Sequence, residues 1–259
     1  MRFTFWLIAG IIFLNSCISN KQVLLLQHGD ELEPVRDTVV RSYPQFEFNY
    51  KIQPQDILSV RFESLTPDEY NFFSRNQAQQ NAANLTTGSA LLIGELVDEQ
   101  GEITFPVVGK VKVQGLTVFE IQQKLQQLAN QYLEAPVVKV RLLNFRISVL
   151  GEVNHEGTVT FSNNRVSMLE AIAQAGGLSE LADRSNIKVI RQLDHETQIF
   201  YVNLLDEDFL NSPYYYVYQN DVLIISPLRQ RPFRKYFGPN LALVISALSL
   251  LVLTINLTR

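Results

Sequence analysis

The 259-residue sequence contains only one cysteine, three histidines, two methionines and one tryptophan. A single cysteine excludes a disulfide bond within the chain. The histidines lie far apart, at positions 28, 155 and 195, and none has neighbours at the spacing of metal ligands. A net charge of −4 gives no sign of the basic surface that nucleic acid requires. We therefore predict no metal, no cofactor and no nucleic-acid partner.

The sequence also lacks the common catalytic motifs. It has no Gly-x-Ser-x-Gly elbow and no phosphate-binding loop. Paired acids such as Asp68-Glu69 resemble solvated loops, although two carboxylates facing a cleft are what sugar-cleaving enzymes use. We predict that the protein is not an enzyme.

The N-terminus has the layout of a secretory signal peptide. Arg2 supplies a positive start, residues 3–14 are apolar, and Ser16-Cys17 follows. A lone cysteine at this place resembles the lipobox of bacterial lipoproteins, in which the thiol is acylated and becomes the new N-terminus. We predict lipidation at Cys17. The alternative is a free thiol after an uncleaved anchor, but the apolar run is shorter than the roughly 20 residues of a spanning helix.

Two consecutive units in the middle of the chain combine short strands with one helix each. In the first, alternating apolar residues over 94–113 and 137–143 predict strands on either side of a helix over 117–132. Thr117 and Glu120 have the spacing of a capping box.

The second unit repeats this plan. Ser167 and Glu170 predict another capped helix, and Gly176-Gly177 ends it because glycine readily takes the left-handed C-cap conformation. The tyrosines within 214–218 are either strand residues that pack or a surface that stacks on sugars, and their β-propensity favours packing. Together the two units predict the α+β fold class.

The C-terminal segment at 241–257 has no charged residue. As a helix it would extend about 26 Å at about 1.5 Å per residue, which suits a thin bacterial outer membrane. We predict a transmembrane helix. Ser246, Ser249, Leu253 and Asn256 fall on one face, which a ring of such helices would turn towards a water-filled pore. The alternative is a plain anchor in which the polar residues have no special role.

A basic and aromatic linker precedes this segment. Its positive charges oppose the positive-inside rule for an inner-membrane helix whose soluble part is secreted, so they favour the outer membrane. The residues predicted to flank the membrane are Arg229, Arg231, Arg234, Lys235, Tyr236 and Phe237.

The order of these stretches resembles a known family. The first unit is similar to the polysaccharide export domain of bacterial outer-membrane lipoproteins that export capsule and exopolysaccharide, in YKIQPQDIL at 50–58, GEITFPVVGKV at 101–111, GLT at 115–117 and YLEAPVV at 132–138. The second is similar to the soluble-ligand-binding β-grasp domain, in VLGEV at 149–153, LEAIAQAGGL at 169–178 and NDVL at 220–223.

The resemblance implies an α+β protein with a polysaccharide export domain, one β-grasp-like domain and a C-terminal transmembrane helix. We divide the chain into a signal peptide at 1–16, a lipidated linker at 17–47, an export domain at 48–144, a β-grasp domain at 145–227, a basic linker at 228–240 and the transmembrane helix at 241–257.

The same resemblance implies a lipid-anchored protein of the bacterial outer membrane with most of its chain in the periplasm. Its substrate would be capsular or extracellular polysaccharide, which passes through a homo-oligomeric ring. Its partners would be the lipid bilayer and an inner-membrane polysaccharide copolymerase or tyrosine-kinase-type chain-length regulator. The alternative is a lipid-anchored periplasmic adaptor that binds glycan or protein and has no pore.

Overall fold

The fold is described from a computed structural model, which covers residues 21, 23–27, 41–44, 46–65, 94–106, 108–193, 196–229 and 238–257. In the last of these ranges, side chains are described only for 243–254. Helices and small, mostly antiparallel sheets alternate along the chain, which confirms a mixed α and β fold.

The first unit is built on a three-stranded antiparallel sheet and a separate hairpin. The sheet has the order β2-β1-β5, with strands β1 (Ile57–Glu63), β2 (Glu95–Leu96) and β5 (Val137–Leu142). The hairpin pairs β3 (Glu102–Phe105) with β4 (Gly109–Lys112). Helix α1 (Val118–Ala129) packs against β5 and buries Ile121 and Leu125, as its apolar stripe predicts.

Residues 50–53, whose sequence YKIQ before Pro54 favours a strand, do not form one. The backbone of Ile52 bonds instead to a loop, donating to Leu116 O at 2.9 Å and accepting from Gly115 N at 2.9 Å. The turn itself is present, because Asp56 N donates to Gln53 O at 3.2 Å. Gln55 has a φ of 73°, so a side chain occupies a position that normally favours glycine.

The second unit contains a five-stranded sheet in the order β10-β9-β12-β6-β7. Its strands are β6 (Arg146–Gly151), β7 (Gly157–Thr160), β9 (Ala182–Leu193), β10 (Glu196–Val202) and β12 (Val222–Pro227). A short pair, β8 (Val166–Ser167) and β11 (Tyr216–Val217), lies beside helix α2 (Met168–Gln174). A 3₁₀ helix, Glu207–Asn211, lies between β10 and β11. One apolar core runs through both units.

Both predicted capping boxes are present. Thr117 Oγ1 accepts from Glu120 N at 3.2 Å, and Glu120 Oε2 accepts from Thr117 N at 2.7 Å. Ser167 and Glu170 make the same two bonds at 3.2 and 2.8 Å. Each box satisfies backbone N–H groups that a helix N-terminus leaves without partners, so these helices begin where the sequence predicts.

The C-terminal segment forms helix α3 (Gly238–Leu257). It begins three residues before the predicted start, because proline is tolerated in the first turn of a helix and Pro239 does not prevent initiation. In the part of the chain with described side chains, no helix combines the length and apolar character needed to cross a membrane. The predicted transmembrane character of residues 241–257 is therefore unsupported.

Candidate functional site

A buried ion pair lies where the sheet of the second unit faces the first unit. Arg191, on β9, donates from Nε to Asp221 Oδ1 at 3.0 Å and from Nη2 to Asp221 Oδ2 at 2.7 Å. Arg191 is 5% exposed and Asp221 is fully buried. The carboxylate also accepts from Tyr218 N at 2.7 Å. Burial raises the pKa of Asp221, and the guanidinium of Arg191 opposes that rise.

Aromatic rings connect this ion pair to the first unit. The guanidinium of Arg191 lies 3.7 Å from the centroid of the Tyr218 ring. The Tyr218 ring meets Tyr50 and Phe48 edge to face, each at a centroid distance of 5.7 Å. These contacts support the packing interpretation of the tyrosines at 214–218, since Tyr218 is enclosed by protein on two sides.

On the other side of Tyr50 lies a second buried carboxylate, Asp56. Its Oδ2 accepts from the Tyr50 hydroxyl at 2.7 Å and from Gln53 N at 3.0 Å. Asp56 is 1% exposed, and burial raises its pKa to about 6 although both hydrogen bonds oppose the rise. Burial beside Asp56 also raises the pKa of the Tyr50 hydroxyl, which therefore remains a hydrogen-bond donor.

We call these five residues the junction network: Tyr50, Asp56, Arg191, Tyr218 and Asp221. The two carboxylates, the guanidinium and the Tyr50 hydroxyl form hydrogen bonds within this set and with the backbone, and all five residues but Tyr218 are at most 5% exposed. Such a network fixes the geometry of the two units relative to one another rather than presenting a reactive group to a substrate.

The segment before the first unit also contacts the second unit. Arg41 Nη1 lies 2.9 and 3.0 Å from the two carboxylate oxygens of Glu207, and the Tyr43 hydroxyl donates to Glu207 Oε2 at 2.6 Å. Further back, Leu26 N donates to Leu204 O at 3.1 Å. We call these bonds the linker contact. The hydrogen bond to Glu207 is the main cause that raises the pKa of Tyr43.

Comparison with known proteins agrees with this two-unit architecture. Residues 45–143 match the family of polysaccharide biosynthesis/export proteins, and residues 146–225 match the SLBB domain. The chain thus carries a domain of the polysaccharide biosynthesis/export family followed by an SLBB domain. The first unit is therefore called the export domain and the second the SLBB domain.

Two curated relatives share part of the chain. Over 108 residues it is 32% identical to the EPS I polysaccharide export outer membrane protein EpsA of Ralstonia solanacearum, covering 40% of this chain and 29% of the relative. Over 108 residues it is 31% identical to the protein of the same name from Ralstonia nicotianae, covering 40% and 28%. The chain thus matches less than a third of the length of these relatives.

The predicted pore residues lie on helix α3. The hydroxyl of Ser246 donates to Leu243 O at 2.9 Å, and that of Ser249 donates to Ser246 O at 2.8 Å. Leu253 is exposed and apolar. Both serine hydroxyls therefore already have an acceptor within the helix, so neither depends on water for one.

Large apolar side chains are exposed all around the same helix. The exposed fractions of these side chains are 54–69%: Leu243, Val244, Ile245, Leu248, Leu250, Leu251, Val252 and Leu253. An apolar surface of this extent marks a site of contact with a partner or a lipid phase.

Of the other predicted site residues, the structure describes only Arg229. Arg229 is an exposed turn residue after β12. The remaining predictions fall outside the described residues or side chains: Cys17, Arg231, Arg234, Lys235, Tyr236, Phe237 and Asn256. Across the described ranges, no three His, Cys, Asp or Glu side chains are grouped so as to hold a metal ion.

Sequence reasoning missed Arg191 and Glu207. The sequence does contain an indication of Arg191. Ile187, Val189 and Arg191 occupy every second position of β9, so all three side chains lie on its core-facing side. A charge in that register predicts a buried partner. No sequence pattern indicates a role for Glu207, since it lies in an acidic stretch of the kind that is usually solvated.

Proposed function

We propose that the protein is a subunit of an outer-membrane apparatus that exports extracellular polysaccharide. The observation that carries this proposal is the order of its two matched domains, an export domain followed directly by an SLBB domain. The names of the two Ralstonia relatives, which are outer-membrane export proteins, support the same substrate class and location.

The finer proposal is a homo-oligomeric conduit. Lipidated Cys17 anchors each subunit, both domains lie in the periplasm, and polymer passes without chemical change from an inner-membrane polysaccharide copolymerase. The apolar surface of α3 supports assembly, because large side chains that are more than half exposed in the single chain need a cover in the working state. Neighbouring copies of α3 and lipid together would bury these side chains, and Ser246, Ser249 and Asn256 would face the lumen.

A second candidate is a lipid-anchored periplasmic adaptor that binds glycan or protein and has no pore. The observation that favours it is the bonding of the Ser246 and Ser249 hydroxyls to carbonyls of their own helix. A helix whose hydroxyls are already bonded can be covered by apolar partners on all sides.

Deletion of the gene tests the general proposal. Secreted polysaccharide should disappear and should return when the full chain is supplied. The Cys17→Ser variant should lose lipid labelling and fail to restore secretion. Normal secretion without the gene would contradict the export function, and lipid labelling of the Cys17→Ser variant would contradict the anchor.

Single cysteines on α3 separate the pore from the adaptor. In a chain whose only other cysteine is Cys17, cysteines at 246, 249 and 256 should react with a membrane-impermeant thiol reagent in the assembled protein. Cysteines at 248, 251 and 255 are the matched controls and should react slowly. Equal reactivity of both sets, or secretion that persists without residues 238–259, would exclude the pore and leave the adaptor.

A further inference from the structure

An open pocket of about 470 Å³ lies in the SLBB domain between the β7–β8 loop and helix α2. One aromatic ring and several hydrogen-bonding side chains line it, among them Phe161, Asn163, Arg165, Glu170 and Gln174. The junction network contributes no residue to this lining, so the pocket is a separate feature of the domain.

Arg165 is held in place at this pocket. Its Nη2 donates to the Tyr216 hydroxyl at 2.6 Å, and its guanidinium lies 4.7 Å from the centroid of the Tyr216 ring. No carboxylate in the described part of the chain pairs with it. Because one bond and one ring fix the side chain, its other N–H groups are available to a ligand at a small entropic cost.

Glu170 supplies the matching acceptor. Its Oε2 is used by the capping box, where Ser167 N and Oγ donate at 2.8 and 3.1 Å. Those bonds fix the carboxylate and leave Oε1 for a ligand. Gln174 follows one turn later on the same face of α2 and offers an amide. The pocket thus presents donors and acceptors in fixed positions, and the formal charges of Arg165 and Glu170 cancel.

Phe161 adds an apolar surface. It is partly buried and meets the core residue Phe145 edge to face at a centroid distance of 6.1 Å. A sugar ring has the complementary chemistry, with an apolar face and hydroxyls that both donate and accept. An anionic ligand would meet no net positive charge in the pocket and would lie beside the Glu170 carboxylate, and a wholly apolar ligand would leave Arg165 and Glu170 desolvated without partners.

We propose that this pocket binds one neutral sugar unit of a polysaccharide. Guanidinium, carboxylate and amide groups bond to its hydroxyls, and its ring packs on Phe161. The proposal deepens the proposed export function and rests on it for the identity of the polymer. Under this proposal the SLBB domain binds the polysaccharide during its export.

The test uses the full chain in detergent. Polysaccharide secreted by the protein's own host is partly hydrolysed, and the oligosaccharides are separated by anion exchange into neutral and acidic pools. Backbone hydrogen exchange is followed by mass spectrometry during titration with each pool. The neutral pool should slow exchange across residues 161–174, and the acidic pool should act only at much higher concentration.

Variants locate the binding. Gln174→Ala and Arg165→Ala should each weaken binding of the neutral pool about fivefold to tenfold, the loss expected for one or two polar contacts. Gln174 is exposed near the end of α2, so its substitution should leave the fold intact even if Arg165→Ala disturbs Tyr216. Arg141→Ala is the matched control, because Arg141 is an exposed arginine on β5 in the other domain.

The proposal is overturned if neither pool slows exchange at 161–174, if both variants bind like the control, or if the acidic pool binds more tightly. Gene deletion separates this failure from failure of the export function. If gene deletion abolishes secretion but no sugar binds in the pocket, the export proposal stands and the sugar-site proposal fails. If sugar binds in the pocket but secretion is normal after gene deletion, the sugar-site proposal stands and the export proposal fails.

Discussion

The ionisation of Asp56 should control the stability of the export domain between about pH 4 and pH 6. The buried carboxyl has a pKa of about 6, against an ordinary value of 3.8. Because the unfolded chain ionises at the ordinary value, the folded protein binds one more proton between these two values. Stability therefore falls as the pH rises through this interval and is fully retained below it.

The magnitude follows from the two pKa values. A difference of about two pKa units corresponds to about 3 kcal/mol of unfolding free energy lost between pH 4 and pH 7. Asp56→Asn removes the ionisation and keeps an oxygen that accepts from Tyr50 and Gln53. The new amide N–H₂ group lacks a partner, which costs about 1–3 kcal/mol. The variant should be less stable than the parent at pH 4 and equal to it or more stable at pH 8.

Urea denaturation of the full chain, followed by circular dichroism at pH values from 4 to 8, measures this difference. Asp98→Asn is the matched control. A hydrogen bond from Glu102 N is the main cause that lowers the pKa of Asp98, so its contribution is present above the ordinary pKa and is lost as the pH falls through the lowered one. Because the Asp98 carboxyl ionises below its ordinary pKa of 3.8, Asp98→Asn should differ from the parent by a nearly constant amount from pH 4 to pH 8. A constant difference between Asp56→Asn and the parent across the whole range would refute the reasoning.

Three further predictions test other parts of the fold. Gln55→Gly should raise the unfolding free energy by about 0.5–1 kcal/mol, because Gln55 has a φ of 73°, whereas Asn220→Gly should gain less because asparagine tolerates its φ of 62°. Urea denaturation measures both, and equal gains would contradict the backbone explanation. Leu125→Ala should cost about 2–5 kcal/mol because Leu125 is 2% exposed, and Gln122→Ala should stay within about 0.5 kcal/mol of the parent. Glu207→Gln should break the ion pair of the linker contact, so trypsin should cut the linker faster, and an unchanged cleavage rate would show that this pair does not hold the linker.

The elements that the sequence predicted well depend on local chemistry. Thr117 and Glu120 form their capping box within four residues, so its signature is complete in the sequence. The buried stripe of α1 follows from helical periodicity in the same way. Gln126 shows the limit of such reasoning, since the stripe predicts a solvent-facing residue that tolerates alanine. In the structure its amide donates to Pro136 O at 2.6 Å and accepts from Val138 N at 2.9 Å, so it joins α1 to β5.

The contacts that the sequence did not predict join residues far apart in the chain. Asp221 is 30 residues from Arg191, and Glu207 is 166 residues from Arg41. The register of β9 marks Arg191 as a buried charge, but no local pattern identifies its partner, and Arg41 and Glu207 each resemble an ordinary surface charge. The stretch at 17–47 is predicted to be a linker because it carries few periodic signals and Pro34 and Pro44 interrupt them. Its contacts become visible only when the SLBB domain folds beside it.

The junction network and the linker contact together explain how a lipid anchor would act on the SLBB domain. Tyr50 and Phe48 pack against Tyr218 at the start of the export domain, and Arg41 pairs with Glu207 a few residues earlier. The linker is thus attached to the SLBB domain through Arg41, and the export domain is attached to it through Tyr50 and Phe48. An anchor connected in this way would restrain both domains together, because moving the SLBB domain away would expose Tyr50 and break the ion pair between Arg41 and Glu207.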